Sequence, residues 1–139
     1  MAKPSFVGFQ ENIEIPAGFQ LLEIHEELIS DKDRDALFLS LSSPEEISQW
    51  FYPVKKFESR PSGKFIFLRG ESEEAGICTS FVLGKEISFI TSTLGNISVK
   101  IGKGNQGNLL SITFKILTDE VESKRDEILE IIQRLRAKL

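Results

Sequence analysis

The hydrophobic pattern of this chain changes from period two to helical spacing and back again, and it ends in one long amphipathic segment. Residues 19–29 alternate between apolar and polar side chains, and this alternation predicts a strand. Leu22, Ile24 and Leu28 lie on one face of that strand. Residues 30–42 then show helical spacing and predict a short helix capped by its first serine or aspartate.

A second short helix is predicted to begin at Ser43. The residues SPEE supply a serine cap, a proline at the first helical position and Glu46 at the third, which is the pattern of a capping box. Pro53 ends this helix, because the residue before a proline is disfavoured in helical conformation.

Strand patterns then occupy the chain until its last helix. Turn residues and alternation predict strands at 54–60, 64–69, 75–83, 86–92, 97–103 and 109–117, with a charged loop at 70–74. Residues 121–139 carry an apolar stripe at helical spacing, which a lone helix cannot bury. We therefore expect an α+β fold in which a curved antiparallel sheet of six to seven strands packs under the long C-terminal helix.

Length and composition fit a single domain that spans residues 1–139. Residues 1–18 are expected to form an arm or an added strand around Ile13 and Ile15. A formal charge of −4 and scattered basic residues exclude an electrostatic reason for nucleic-acid binding. We find no signal-peptide pattern and no apolar run long enough to span a membrane, so we expect a cytoplasmic protein.

Few side chains are candidates for catalysis or metal binding. One histidine and one cysteine are too few for a zinc site, and we expect no metal and no cofactor. The alternation places His25 and Cys78 on the outer face of the sheet, where water would surround them, and we assign no catalytic residue. Residues 102–107 have the spacing G-x-G-x-x-G, but a strand follows them, which indicates a hairpin turn rather than a dinucleotide site.

Glu26 shares a strand face with apolar neighbours and is a candidate polar contact. If that face is buried, the carboxylate needs a partner, and Arg69 or Arg125 could supply one. It would then anchor a ligand or act as a general acid or base. The alternative, which we favour, is that Glu26 reaches water.

Two motifs resemble those of a known group of proteins. Residues 42–51 (SSPEEISQWF) are similar to a helix written T-D-P-E-x-(I/L)-x-x-W-(F/W), and residues 60–65 (RPSGKF) are similar to a turn written P-G-G-x-(F/W). Over residues 19–138 the chain resembles the helix-grip superfamily (SRPBCC), which includes START lipid-transfer domains and polyketide cyclases. The nearest branch is homologous to the C-terminal domain of the chaperone-ATPase activator, although Ser62 stands where that branch has a glycine.

The resemblance implies a gap between the long helix and the sheet that holds a small hydrophobic or amphipathic ligand without covalent chemistry. Apolar and aromatic side chains suit the walls of such a cavity, and a few polar groups would orient the ligand. The residues expected to line it are Trp50, Phe65, Phe67, Phe89, Phe114, Ile128 and Ile132, with Glu26, Arg69 and Arg125 as polar contacts.

Two other functions stay open at this stage. The branch implies a co-chaperone-like domain that binds a protein partner through its surface. The superfamily also implies a cyclase or hydrolase that uses acid and base residues in the cavity. Ile66, Leu68 and Val82 are expected to face away from the core, where they would mark a surface for a partner or a second copy of the chain.

Overall fold

The computed structural model describes residues 15–105 and 107–139. The predicted arm falls mostly outside these residues, as does its Ile13, and so does Gln106 in the glycine-rich turn. The described chain is α+β, with a curved antiparallel sheet, two short helices after the first strand and a long C-terminal helix. The predicted fold class is confirmed.

Seven strands form one antiparallel sheet in the order β1-β7-β6-β5-β4-β3-β2. Strands β2 to β7 pair in chain order as hairpins, whereas β1 pairs with β7 and forms the edge opposite β2. The strands are β1 (Gln20–Ser30), β2 (Val54–Phe57), β3 (Lys64–Arg69), β4 (Ser72–Val82), β5 (Glu86–Thr91), β6 (Gly95–Gly104) and β7 (Gly107–Thr118).

Two differences from the predicted boundaries change the element to which a segment belongs. β1 continues through Ser30, which pairs with Asn108, so the first helix cannot begin there. The predicted loop at 70–74 is only a two-residue turn at Gly70 and Glu71, and the residues that follow belong to β4. The acidic side chains of that segment favour a loop, but strand pairing with β3 decides its conformation.

The two short helices are α1 (Arg34–Ser42) and α2 (Pro44–Trp50). Asp33 caps α1, because its carboxylate accepts a hydrogen bond of 2.8 Å from the backbone N–H of Ala36. Neither predicted cap residue, Ser30 nor Asp31, does so.

The predicted capping box at the start of the second helix is wrong. The hydroxyl of Ser43 bonds to the carboxylate of Glu45 at 2.9 Å, and it makes no bond to the helix backbone. Glu46 instead forms an ion pair with Lys138 at 3.3 Å, so tertiary contact with the C-terminal helix replaces the local cap.

The long helix α3 (Val121–Lys138) packs against β1, β7 and α2. Its apolar stripe is buried as expected, at Ile128, Ile131, Ile132 and Leu135. None of the helices among the described residues is both long enough and apolar enough to cross a membrane.

Candidate functional site

A cluster of aromatic rings fills the space between α2 and the inner face of β3, β4 and β5. Phe65 lies at its centre, with its ring stacked on Phe89 at a centroid distance of 4.3 Å. Phe51, at the end of α2, packs its ring 5.8 Å from Phe65 and 5.0 Å from Phe67. The side chains that join the helices to the sheet here are therefore large, flat and apolar.

One packing gap lies within this cluster, and we call it the interior slot. Its walls are Ile47, Trp50, Phe51, Phe65, Phe89 and Ile97. The slot leaves about 0 Å³ of room for a water molecule, so the structure does not show the open cavity that the resemblance implies. The indole N–H of Trp50 donates to the carbonyl oxygen of Ser40 at 2.9 Å, which leaves the slot without an unpaired polar group.

Three of the residues expected to line a cavity, namely Trp50, Phe65 and Phe89, line the interior slot. The other apolar candidates are buried elsewhere in the core, at Phe67, Phe114, Ile128 and Ile132. Sequence reasoning did not assign Ile47, Phe51 and Ile97 to the walls. Their signals were present, because Ile47 and Phe51 lie on the apolar face of the second helix and Ile97 begins an alternating strand.

Arg69 belongs to a partly buried polar cluster, which we call the Glu127 cluster, between β3 and α3. Its guanidinium donates to both oxygens of Glu127, at 2.7 and 2.9 Å, in a bidentate pair. The phenol of Tyr52 also donates to this carboxylate. Glu74, 3.6 Å from Arg69, and Lys124, 3.8 Å from Glu127, complete the cluster.

The pKa values of Glu127 and Tyr52 are shifted in opposite directions. Burial alone would raise the pKa of Glu127, but the hydrogen bonds from Arg69 and Tyr52 and the charges of Arg69 and Lys124 outweigh it and hold that pKa below its ordinary value. Burial, followed by the hydrogen bond to Glu127, raises the pKa of Tyr52 to about 12. The carboxylate is therefore ionised at neutral pH and ties α3 to the sheet.

Glu26 pairs with neither Arg69 nor Arg125, the two partners considered for a buried carboxylate. It pairs with Arg136 at 3.2 Å, and 40% of its side chain is exposed, so it reaches water. Arg125 lies 4.0 Å from Glu122 on α3 and is 44% exposed. Glu26 and Arg69 lie apart because β1 and β3 are separated by four strands in the sheet order.

The expected position of Cys78 on the outer face is also wrong. Cys78 pairs with Phe89, is fully buried, and faces inward. A register shift between Cys78 and Ser80 interrupts the alternation of β4, so that Cys78 and Phe81 both contact the core. Burial raises the pKa of the Cys78 thiol, which keeps it in its unreactive protonated form.

His25 lies on the outer face, as expected. Its ring bonds to the hydroxyl of Thr113 at 2.8 Å and lies 3.7 Å from Glu27. These side chains stand on an exposed sheet surface and are not among the walls of the interior slot. Within residues 15–105 and 107–139, histidine, cysteine and acidic side chains form no group that could hold a metal ion.

A second space opens to solvent between α1 and the β4–β5 turn, and we call it the outer groove. It has a volume of about 300 Å³, at the lower end of the range for small-molecule sites. Its walls are Asp35, Phe38, Leu39, Ser42, Phe81, Leu83 and Gly84. Sequence reasoning did not find this groove, because its walls come from two segments about 40 residues apart that only the fold brings together.

No protein-family profile matches this sequence, and no curated protein matches it. Solved structures with the same fold do exist. Bacillus halodurans protein BH1534 has a TM-score of 0.72 at 12% identity, covering 84% of this chain and 95% of that one. The Aha1 dimer from Colwellia psychrerythraea has a TM-score of 0.65 at 9% identity, covering 83% and 93%.

DynU16, from the dynemicin biosynthetic locus, is similar over 84% of this chain and 46% of its own, with a TM-score of 0.65 and 12% identity. At these identities the likeness shows the fold alone. Together with the sheet order, the two short helices and the packing of α3, it shows that this chain has a helix-grip-like fold.

Proposed function

We propose that this chain is a non-catalytic binding module for a small hydrophobic or amphipathic molecule, held at the interior slot between α2 and the sheet. The observation that supports this is the lining of the slot, which consists of four aromatic and two isoleucine side chains. Such walls favour an apolar ligand, because burial of its surface stabilises the complex and no polar wall group loses water. Among the described residues, no ionisable side chain lines the slot.

Binding requires the slot to widen, and the contacts that hold it closed are identifiable. Arg134 of α3 donates to the backbone carbonyl oxygens of Trp50 and Phe51, at 3.2 and 3.3 Å, and fixes the end of α2 over the sheet. A ligand selects conformations in which this end has moved or the rings have rotated. Its apparent affinity then equals the intrinsic affinity multiplied by the fraction of molecules in which the slot is open.

The emission of Trp50 provides the test, because it is the only tryptophan in the chain and it forms a wall of the slot. We expect 1-bromonaphthalene to quench this emission saturably, since heavy-atom quenching needs contact with the indole. The variant Ile97→Phe adds volume to the opposite wall and is expected to abolish the quenching while keeping the far-ultraviolet circular dichroism of the wild type. Linear quenching, equal in both proteins, would disprove binding at the slot.

A second candidate function is protein interaction, including self-association, as the resemblance to the chaperone-ATPase activator branch implies. Ile77 and Ile90 lie directly opposite each other on the outer face of β4 and β5, and each is about half exposed, at 51% and 49%. Two adjacent exposed isoleucines are more typical of a protein–protein interface than of ordinary solvent-exposed surface. The similar Colwellia protein, Aha1, was solved as a dimer.

Sedimentation measures this second function directly. We expect the wild type to form a dimer as its concentration rises and Ile77→Lys to stay monomeric, because a buried lysine would lack a partner in the interface. Leu21→Lys, an exposed leucine on the far strand β1, is the control and is expected to behave as the wild type. A wild type that is monomeric throughout would exclude self-association through this face.

A further inference from the structure

The outer groove exposes two large apolar side chains to solvent. Leu39 on α1 is 58% exposed, and Leu83 in the β4–β5 turn is 79% exposed. Between them lie the rings of Phe38 and Phe81, which contact each other edge-on at a centroid distance of 5.5 Å. A small apolar molecule would therefore find flanking leucines and an aromatic floor in one place.

The ring of Phe57 lies near a ring of the groove floor and near two rings of the slot walls. Its centroid lies 6.4 Å from that of Phe81 on the groove side. On the slot side it lies 5.5 Å from Phe89 and 5.8 Å from Phe65. Phe57 and Phe81 are both only partly buried, whereas the two slot rings are nearly fully buried.

Phe57 is carried by the element of the sheet that is easiest to displace. β2 has four residues, lies at the edge of the sheet and pairs with β3 alone. Its pairing contains a register shift between Val54 and Lys56. Short, irregular edge strands open locally at lower free energy than central strands, so Phe57 can move without unfolding the core.

We infer that the outer groove is a binding site in its own right, where a small apolar ligand docks before it passes Phe81 and Phe57 to reach the interior slot. This inference rests on the proposed function, because it supplies the route to the site proposed there. The opposite end of the aromatic cluster is closed by the Glu127 cluster, where Tyr52 stacks on Phe67 at 6.0 Å. A ligand passing that end would have to break charged hydrogen bonds, whereas the groove presents apolar contacts.

The rim of the groove selects the polar end of such a ligand. Asp35 supplies a carboxylate, and Ser42 already donates its hydroxyl proton to the carbonyl oxygen of Phe38 at 2.8 Å. Both side chains thus offer acceptors to a ligand. These acceptors favour an apolar ligand with a hydrogen-bond-donating end.

Stopped-flow quenching of Trp50 by 1-bromonaphthalene tests this route. Leu39→Asp places a charge in the groove and is expected to slow both binding and release about tenfold with an unchanged equilibrium constant, as a raised barrier requires. Leu83→Asp is the second variant, should the first fail to fold. Leu129→Asp replaces an exposed leucine on α3 and is the control, with wild-type rates expected.

The outcomes separate this inference from the proposed function. No saturable quenching of the wild type would overturn both. Wild-type quenching with unchanged rates in Leu39→Asp and Leu83→Asp would overturn the route alone. Faster binding in Tyr52→Phe, which lacks the hydroxyl that bonds Glu127, would place the entrance at the opposite end.

Discussion

Replacing Phe65 by alanine is expected to lower the free energy of unfolding by about 3–5 kcal/mol, as for other large aromatic side chains removed from a core. Phe65 is 1% exposed, and its ring lies within 6 Å of four other aromatic rings. Denaturant unfolding followed by Trp50 emission measures the loss. The same change enlarges the interior slot, because Phe65 is one of its walls.

The enlarged slot is expected to bind benzene, since dry apolar cavities of this kind take up small aromatic molecules. Benzene should therefore raise the melting temperature of Phe65→Ala by mass action, and it should raise that of the wild type less, because the wild-type slot must first widen. Phe65→Leu, which keeps most of the volume, is the matched control and should show a smaller loss of stability. A wild type that benzene stabilises as strongly would mean that the slot is already open.

The elements with long, regular patterns were predictable from sequence. The alternation of residues 109–117 and the stripe of residues 121–139 each repeat a single period several times, and both correspond to β7 and α3 within a few residues. Each element buries its apolar face in the core, and the repeating pattern of apolar residues reflects that burial. Ile128 and Ile132 are buried as the stripe predicts.

Features that depend on a single residue or on a tertiary partner were not predictable in this way. The bulge in β4 lets Cys78 and Phe81 both face the core, whereas strict alternation would place them on opposite faces of the strand. Glu46 does not form the expected capping box and instead pairs with Lys138, a residue distant in sequence. Local motifs describe what a side chain can do, whereas the partner that it bonds depends on the whole fold.

Only part of the composition of the interior slot was predictable, and its volume was not. Strand alternation and the end of the second helix direct Trp50, Phe65 and Phe89 inward, and they meet at the slot, whereas the other four apolar candidates are buried elsewhere. Whether their rings leave space depends on small differences in ring orientation and on ring contacts of about 5 Å, and a pattern of residue types does not specify either. The outer groove was missed for a related reason, since its walls meet only through tertiary packing.

Glu127→Gln is expected to lower the free energy of unfolding at pH 7 by about 1–3 kcal/mol. Removing one partner of a buried pair costs more than this, but Arg69 is 32% exposed and water partly replaces the lost carboxylate. Tyr52 loses a charged acceptor at the same time. Denaturant unfolding of the variant and the wild type, measured in the same buffer, gives the difference.

This difference should depend on pH in a defined direction. The pKa of Glu127 is lower in the folded protein than in the unfolded chain, so its stabilisation is complete above the ordinary glutamate pKa of about 4.3. It is lost as the pH falls below that value and through the lowered pKa. The wild type should therefore approach the stability of Glu127→Gln on acidification, because protonation removes the same charge that the substitution removes.

Glu130→Gln is the matched control on the same helix. Glu130 pairs with Arg134 at 3.5 Å, but 73% of its side chain is exposed, and surface pairs of this kind contribute little. We expect its unfolding curve to follow the wild type at every pH. Equal losses in the two variants, or a Glu127→Gln difference that persists unchanged into acid, would mean that the Glu127 cluster does not hold α3 to the sheet. The expected contrast therefore separates a buried tie between helix and sheet from the general surface charge of α3.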